Sequence, residues 1–165
     1  MCLIADDIRS SREVLCSWLS ELGYECILVA DGIDAWREAN QRRFDLIITD
    51  IEMPQASGLD LLHALRRETN SRLYAIPVIV ISSLIDTELR PLIAQLGSSF
   101  FMEKPLSKVV TEMAVKRVEL HPGLSCENAN TKADVAADQT STEQVVSPRF
   151  RILRSQVGHP DSPLQ

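Results

Sequence analysis

The chain has 165 residues, of which 45% are apolar and 24% charged, and its net charge is −6. That length suits one folded domain with some excess. The negative balance argues against a nucleic-acid-binding surface, which needs clustered Lys and Arg. No apolar run is long enough to span a bilayer, and the opening Met-Cys-Leu-Ile-Ala-Asp-Asp lacks the basic and apolar regions of a signal peptide. A cytoplasmic protein with no membrane partner is therefore expected. Four cysteines, Cys2, Cys16, Cys26 and Cys126, show neither C-x-x-C nor metal-ligand spacing and read as reduced, structural thiols.

In chain order, the first β-like run is residues 2–5. An amphipathic helix follows, with Val14, Leu15, Trp18, Leu19 and Leu22 on one face and Gly23 placed as a C-terminal cap. A strand over residues 25–30 leads into a helix that begins near Asp31-Gly32 and presents Ile33 and Trp36. The run over 45–49 is almost wholly apolar, as strands buried on both faces of a parallel sheet are. A third helix starts after Gly58, with Asp60 in its first turn and Leu62 and Leu65 along its apolar stripe. The strand over 77–81 is again continuous and apolar. A fourth helix carries Leu89, Leu92, Ile93 and Leu96 before Gly97, and Pro91 shortens or kinks it, because proline fits only a first turn. A strand over 99–102 precedes a fifth helix that is capped by Ser107 and carries Val110, Met113, Ala114 and Val118. Five βα units in strict alternation predict an open, doubly wound parallel sheet with helices on both faces.

After residue 120 the character changes. Residues 124–147 are rich in Ala, Asn, Asp, Gln, Ser and Thr and contain no aromatic residue. The expected division is one domain over 1–120 and a polar, disordered tail over 121–165.

Chemistry concentrates at the strand ends. The first strand ends in Asp6-Asp7, the third in Asp50, the fourth in Ser82-Ser83 and the fifth in Glu103-Lys104-Pro105. In the flavodoxin-like order 2-1-3-4-5, strands one and three are neighbours at the switch point, where such sheets bind ligands. Asp7 and Asp50 then stand side by side. Carboxylates that close raise one another's pKa unless a cation intervenes, and Mg²⁺ both resolves the repulsion and ligates phosphate oxygens. A carboxylate is also a competent nucleophile toward phosphorus. Taken singly, each piece has a bland explanation: an Asp pair caps a helix, a Lys-Pro makes a turn, a Ser pair opens a loop. Their coincidence at four of five strand ends is what points to phosphoryl chemistry. An Asp-nucleophile phosphatase fits less well, because its D-x-D motif lies on the first core strand, and no G-x-G-x-x-G follows the first strand to bind a dinucleotide.

Over about residues 2–120 these features resemble the response-regulator receiver family: Asp6-Asp7, Asp50, Met53-Pro54 with Gly58, the 77–82 strand, and Gly97 through Lys104-Pro105. The resemblance implies that Asp50 is the phosphoacceptor. It implies that Asp7, Asp50 and the backbone carbonyl of Glu52 ligate Mg²⁺ and that Asp6 acts through a water. Ser82 and Lys104 contact the phosphoryl oxygens, Phe101 is the switch aromatic, and the Lys104–Pro105 bond is cis. The implied donor is a phosphohistidine on a sensor histidine kinase or phosphotransfer protein docking near residues 9–15. Output to a downstream protein or a homodimer is implied through helix four, strand five and helix five. Such a chain is a switch rather than an enzyme, catalysing only its own phosphorylation and slow dephosphorylation. Apolar Leu84, two positions past Ser82, is expected to slow water attack. The alternative is a degenerate receiver that serves only for dimerisation or docking. A single-domain regulator and a fragment of a larger protein, such as a hybrid histidine kinase, both remain open.

Overall fold

The computed structural model describes residues 1–68, 71–83 and 89–120. Leu84, Cys126 and the 121–165 tail lie outside the described residues. Five strands, β1 (Cys2–Ala5), β2 (Cys26–Val29), β3 (Leu46–Asp50), β4 (Val78–Ser82) and β5 (Phe100–Glu103), form one parallel sheet in the order β2-β1-β3-β4-β5. The helices are α1 (Arg9–Glu21), α2 (Gly32–Gln41), α3 (Gly58–Arg66), α4 (Ser71–Ala75), α5 (Leu89–Gln95) and α6 (Lys108–Leu120). The strand order is the expected one, and β3, β4 and β5 each begin and end one residue later than the apolar runs indicate. The short α4 is additional. The fourth and fifth helices of the sequence reading are thus α5 and α6.

Strand alternation sorts the core into two layers. Cys2, Ile4, Leu46, Ile48, Ile79 and Ile81 face α1 and α6, where Leu15, Leu19, Ala114, Val115 and Val118 pack. Leu3, Ala5, Ile47, Val78 and Val80 face the other side, with Trp36, Leu61, Leu62, Leu65 and Ile93. Each fully buried Leu or Ile contributes ~1.5–3 kcal/mol relative to exposure, so central β1, β3 and β4 are the strongest part of the sheet. The helix faces differ in part from expectation. Val14 is 42% exposed and Met113 64%, and Val110 is also exposed. On α6 the buried stripe is Thr111, Ala114, Val115 and Val118. Thr111 tolerates burial because its hydroxyl donates to the Ser107 carbonyl one turn back.

Local chemistry fixes the helix ends that border the sheet edge. Gly23 adopts φ +89°, and its N–H and that of Tyr24 close on Ser20 and Leu19 carbonyls, which ends α1. Asp31 caps α2 by accepting from the Ile33 and Asp34 N–H groups. Ser57 and Asp60 form a reciprocal capping box at the start of α3. The Arg66 guanidinium, at the far end of α3, donates to the Gly97 carbonyl at 2.8 Å and the Tyr74 carbonyl at 2.9 Å. Burial lowers its pKa to about 10. No helix among the described residues is long and apolar enough to cross a membrane.

Gly58 sits where α3 crosses behind β3. A Cβ there would lie 2.1 Å from the Asp50 carbonyl oxygen and 2.8 Å from Thr49 Oγ1. Because the first obstacle is backbone in a central strand, Gly58→Ala should destabilise the fold by about 1–3 kcal/mol in chemical denaturation. A loss below about 0.5 kcal/mol would mean that the β3–α3 connection can shift freely.

Candidate functional site

The carboxyl ends of β1 and β3 meet because those strands pair in register, Ala5 beside Thr49. The next residues, Asp6 and Asp50, are almost fully buried, whereas Asp7 turns outward. One carboxylate oxygen from each of Asp6, Asp7 and Asp50 lies within 4.8 Å of the others. From the end of β5, the Lys104 ammonium reaches Asp50 Oδ2 at 2.5 Å and Asp6 Oδ2 at 3.1 Å. The Lys104–Pro105 peptide is cis, as expected. The Lys104 N–H donates to the Ser82 carbonyl at 2.9 Å, which ties the ends of β4 and β5 together.

Asp50 has an unequal electrostatic setting. Burial pushes its carboxyl above the usual carboxylate value, the Lys104 ammonium pulls it back, and neighbouring Asp6 pushes it up again. The net shift is upward. On Lys104 burial opposes the charge, but hydrogen bonds to Asp50 and Asp6 more than offset it, so the ammonium is held above its usual value. Both partners shift upward because burial outweighs the lysine at Asp50, whereas at Lys104 two carboxylates together outweigh burial.

Asp6 has a different environment from Asp50. Its Oδ1 accepts the Ile8 N–H at 2.8 Å, and its Oδ2 accepts the Ser11 hydroxyl at 2.7 Å as well as the lysine. Arg12 donates to the Asp6 carbonyl. Ser11 and Arg12 therefore belong to the site although the sequence reading did not single them out; the signal available was their place in the first turn of a helix that begins two residues past an acid. Asp50 Oδ1 is held more loosely, by the Glu52 N–H at 3.4 Å. Glu52 itself is exposed. Ser82 is buried at the end of β4, one residue beyond the Ile81 that pairs with Asp50.

Phe101 lies on β5, three residues before Lys104, and is half-buried. The Arg90 guanidinium of α5 stacks 5.0 Å from its ring centroid and also pairs with the Glu103 carboxylate. Gln55, at φ +64° in the β3–α3 loop, donates to Asp31 Oδ2 at 3.1 Å, linking that loop to the cap of α2. Neither Arg90 nor Gln55 carries a motif that sequence spacing alone would flag.

Lys104 is 16% exposed and is the cation that contacts the buried acids. In chelator, Lys104→Met should lower unfolding stability by about 1–3 kcal/mol, the range for leaving buried polar groups unpaired, and a divalent cation should narrow that deficit. Equal stability of the two proteins in chelator would show that the lysine is not what offsets the carboxylates.

The family model for the response regulator receiver domain matches residues 2–116. The transcriptional regulatory protein CrdR of Helicobacter pylori is 27% identical over 93% of this chain and 76% of its own length. The 3',5'-cyclic-nucleotide phosphodiesterase regA of Dictyostelium discoideum is 32% identical over 71% of this chain, which spans only 14% of that relative. Among solved structures, the chemotaxis response regulator CheY4 of Vibrio cholerae superposes with a TM-score of 0.65 at 28% identity, covering 71% of this chain and 96% of that one. Because one relative is a transcriptional regulator, the inference from net charge that nucleic acid is excluded as a partner is not supported; charge on one domain says nothing about an output carried elsewhere. The five-stranded parallel order, the acidic cluster and the match over residues 2–116 together make this chain a member of the response regulator receiver domain family.

Proposed function

We propose that the chain is a phosphorelay switch in which Asp50 accepts a phosphoryl group from a phosphohistidine on a sensor histidine kinase or phosphotransfer protein. The observation that carries this reading is the pairing of a three-carboxylate cluster with a lysine that bridges its two buried members, Asp6 and Asp50. Residues 1–120 are the receiver unit in this reading, and 121–165 are a flexible linker or tail.

The donor set suits a hard divalent ion, since all side-chain ligands are carboxylate oxygens. Asp7, Asp50 and the Glu52 carbonyl would hold Mg²⁺ directly. Both Asp6 oxygens already accept hydrogen bonds, which supports a role for Asp6 through a water. Bound Mg²⁺ supplies positive charge to the phosphoryl oxygens. Asp50 is the nucleophile: its loosely held Oδ1 forms the O–P bond while the donor's P–N bond breaks and the histidine departs. Lys104 trades its carboxylate partner for a phosphoryl oxygen, and the Ser82 hydroxyl donates to another. The work is positioning and charge neutralisation, as phosphoryl transfer requires.

The same reading assigns the output. Ser82 moving toward the phosphoryl group frees space near Phe101, and the ring turns inward, which repacks the α5–β5–α6 surface presented to a downstream protein or a second copy. The chain promotes its own phosphorylation and slow dephosphorylation, with no turnover of a separate substrate.

Incubation with acetyl phosphate and Mg²⁺ should add one phosphoryl group by intact mass. The adduct should be absent in EDTA and in Asp50→Asn. An adduct that persists in Asp50→Asn places the chemistry elsewhere, and no adduct together with no Mg²⁺ binding makes the domain a docking module. By thermal denaturation, Mg²⁺ at 100 times its dissociation constant should stabilise the chain by about 2.7 kcal/mol, and Asp7→Asn should require much higher Mg²⁺ for the same gain. An unchanged Mg²⁺ requirement would remove Asp7 from the ligand set.

A further inference from the structure

Asp6 is fully buried, so its carboxylate must find hydrogen-bond donors inside the protein. Its two oxygens are served differently. Oδ1 accepts the Ile8 N–H at the start of α1, whereas Oδ2 is shared between the Ser11 hydroxyl at 2.7 Å and the Lys104 ammonium at 3.1 Å. Arg12 fixes the main chain of the same residue by donating to its carbonyl. Lys104 lies closer to Asp50, at 2.5 Å, so its bond to Asp6 is the longer of the two. Ser11 is part-buried and comes from the first turn of α1, an element separate from the strand ends that carry Asp50 and Lys104.

We propose that Ser11 is a positioning residue for phosphoryl transfer: its hydroxyl keeps Asp6 Oδ2 hydrogen-bonded when Lys104 turns from the buried acids to a phosphoryl oxygen. The inference deepens the reading of Asp50 as phosphoacceptor and rests on it.

A carboxylate oxygen offers two lone-pair sites, so Oδ2 can hold both donors at once and release one without being left bare. Losing the last donor on a buried charged oxygen is heavily penalised. With Ser11 gone, Oδ2 depends on Lys104, and moving that lysine strands a carboxylate that water cannot reach. The lysine is then held back from the phosphoryl group. The hydroxyl is thus a second donor in the resting protein and a needed one during transfer. A role confined to starting α1 has a different signature: its loss would cost the same stability whether or not Lys104 is present.

The test compares Ser11→Thr, which keeps the hydroxyl, with Ser11→Val, which has nearly the same shape without it, and with Ser11→Ala. In acetyl phosphate and saturating Mg²⁺, intact mass followed over time should show the adduct forming about tenfold more slowly in the Val and Ala variants, equivalent to about 1.4 kcal/mol of barrier. Ser11→Thr should stay within about twofold of the wild-type rate. A second readout, in chelator, involves no phosphate. There Ser11→Val should lower the melting temperature by about 4 °C more in Lys104→Met than in the parent chain, because only the double variant leaves Oδ2 without either donor. Ser11→Thr should show no such excess. The rate comparison stands by itself if the double variant does not fold. A wild-type chain that forms no adduct overturns the phosphoacceptor reading on which the proposal rests. A wild-type adduct with Ser11→Val as fast as Ser11→Thr overturns the proposal alone, as do equal melting losses with and without Lys104.

Discussion

Everything at the carboxyl edge of this sheet depends on one imbalance: buried carboxylates outnumber the lysine that neutralises them. Asp6 and Asp50 share Lys104, with Asp7 close by. Two unit charges about 4.8 Å apart repel by ~3.5 kcal/mol at an effective dielectric of about 20, a substantial share of a domain's net stability. The fold withstands that cost because the acids sit at the ends of its best-buried strands. The residual demand for positive charge makes the edge compatible with a bound cation, which is the role the proposed function gives it.

The surroundings divide labour between the two buried acids. Asp6 is held by the Ile8 amide, Ser11 and the lysine, so its orientation is set by the first turn of α1. Asp50 is held by the lysine and one long contact from the loop that follows it. Asp6 is the better-anchored acid, and Asp50 Oδ1 is the more weakly held carboxylate oxygen of the pair. The close approach of α3 at Gly58 sets the position of the Asp50 backbone beneath that oxygen.

Strand order and the members of the acidic edge were legible because both follow from simple rules: buried parallel strands read as continuous apolar runs, and their ends carry the polar residues. Helix faces were less legible. Val14, Val110 and Met113 are apolar yet exposed, while Thr111 is polar yet buried, since a backbone carbonyl one turn away satisfies its hydroxyl. Hydropathy spacing cannot anticipate that exchange. The α4 helix, five residues long, is too short to show a period. Contacts such as Arg90 on Phe101 and Gln55 on Asp31 join residues distant in sequence, and they follow from the packing of finished elements.

Arg66 gives the molecule a ruler. Its flat guanidinium is bonded to the Gly97 turn that precedes β5 and to the end of α4, while its stem is rooted in α3, the helix launched from the loop after Asp50. The Gly97 turn can approach this closely because it has no side chain: a Cβ there would meet Arg66 Nε at 3.1 Å. Bonded at both carbonyls, the Arg66 side chain gives α3, the end of α4 and the turn before β5 a common anchor. One side chain thus joins the helix that follows the Asp50 loop to the turn that opens β5, the strand that carries Phe101 and leads into Lys104.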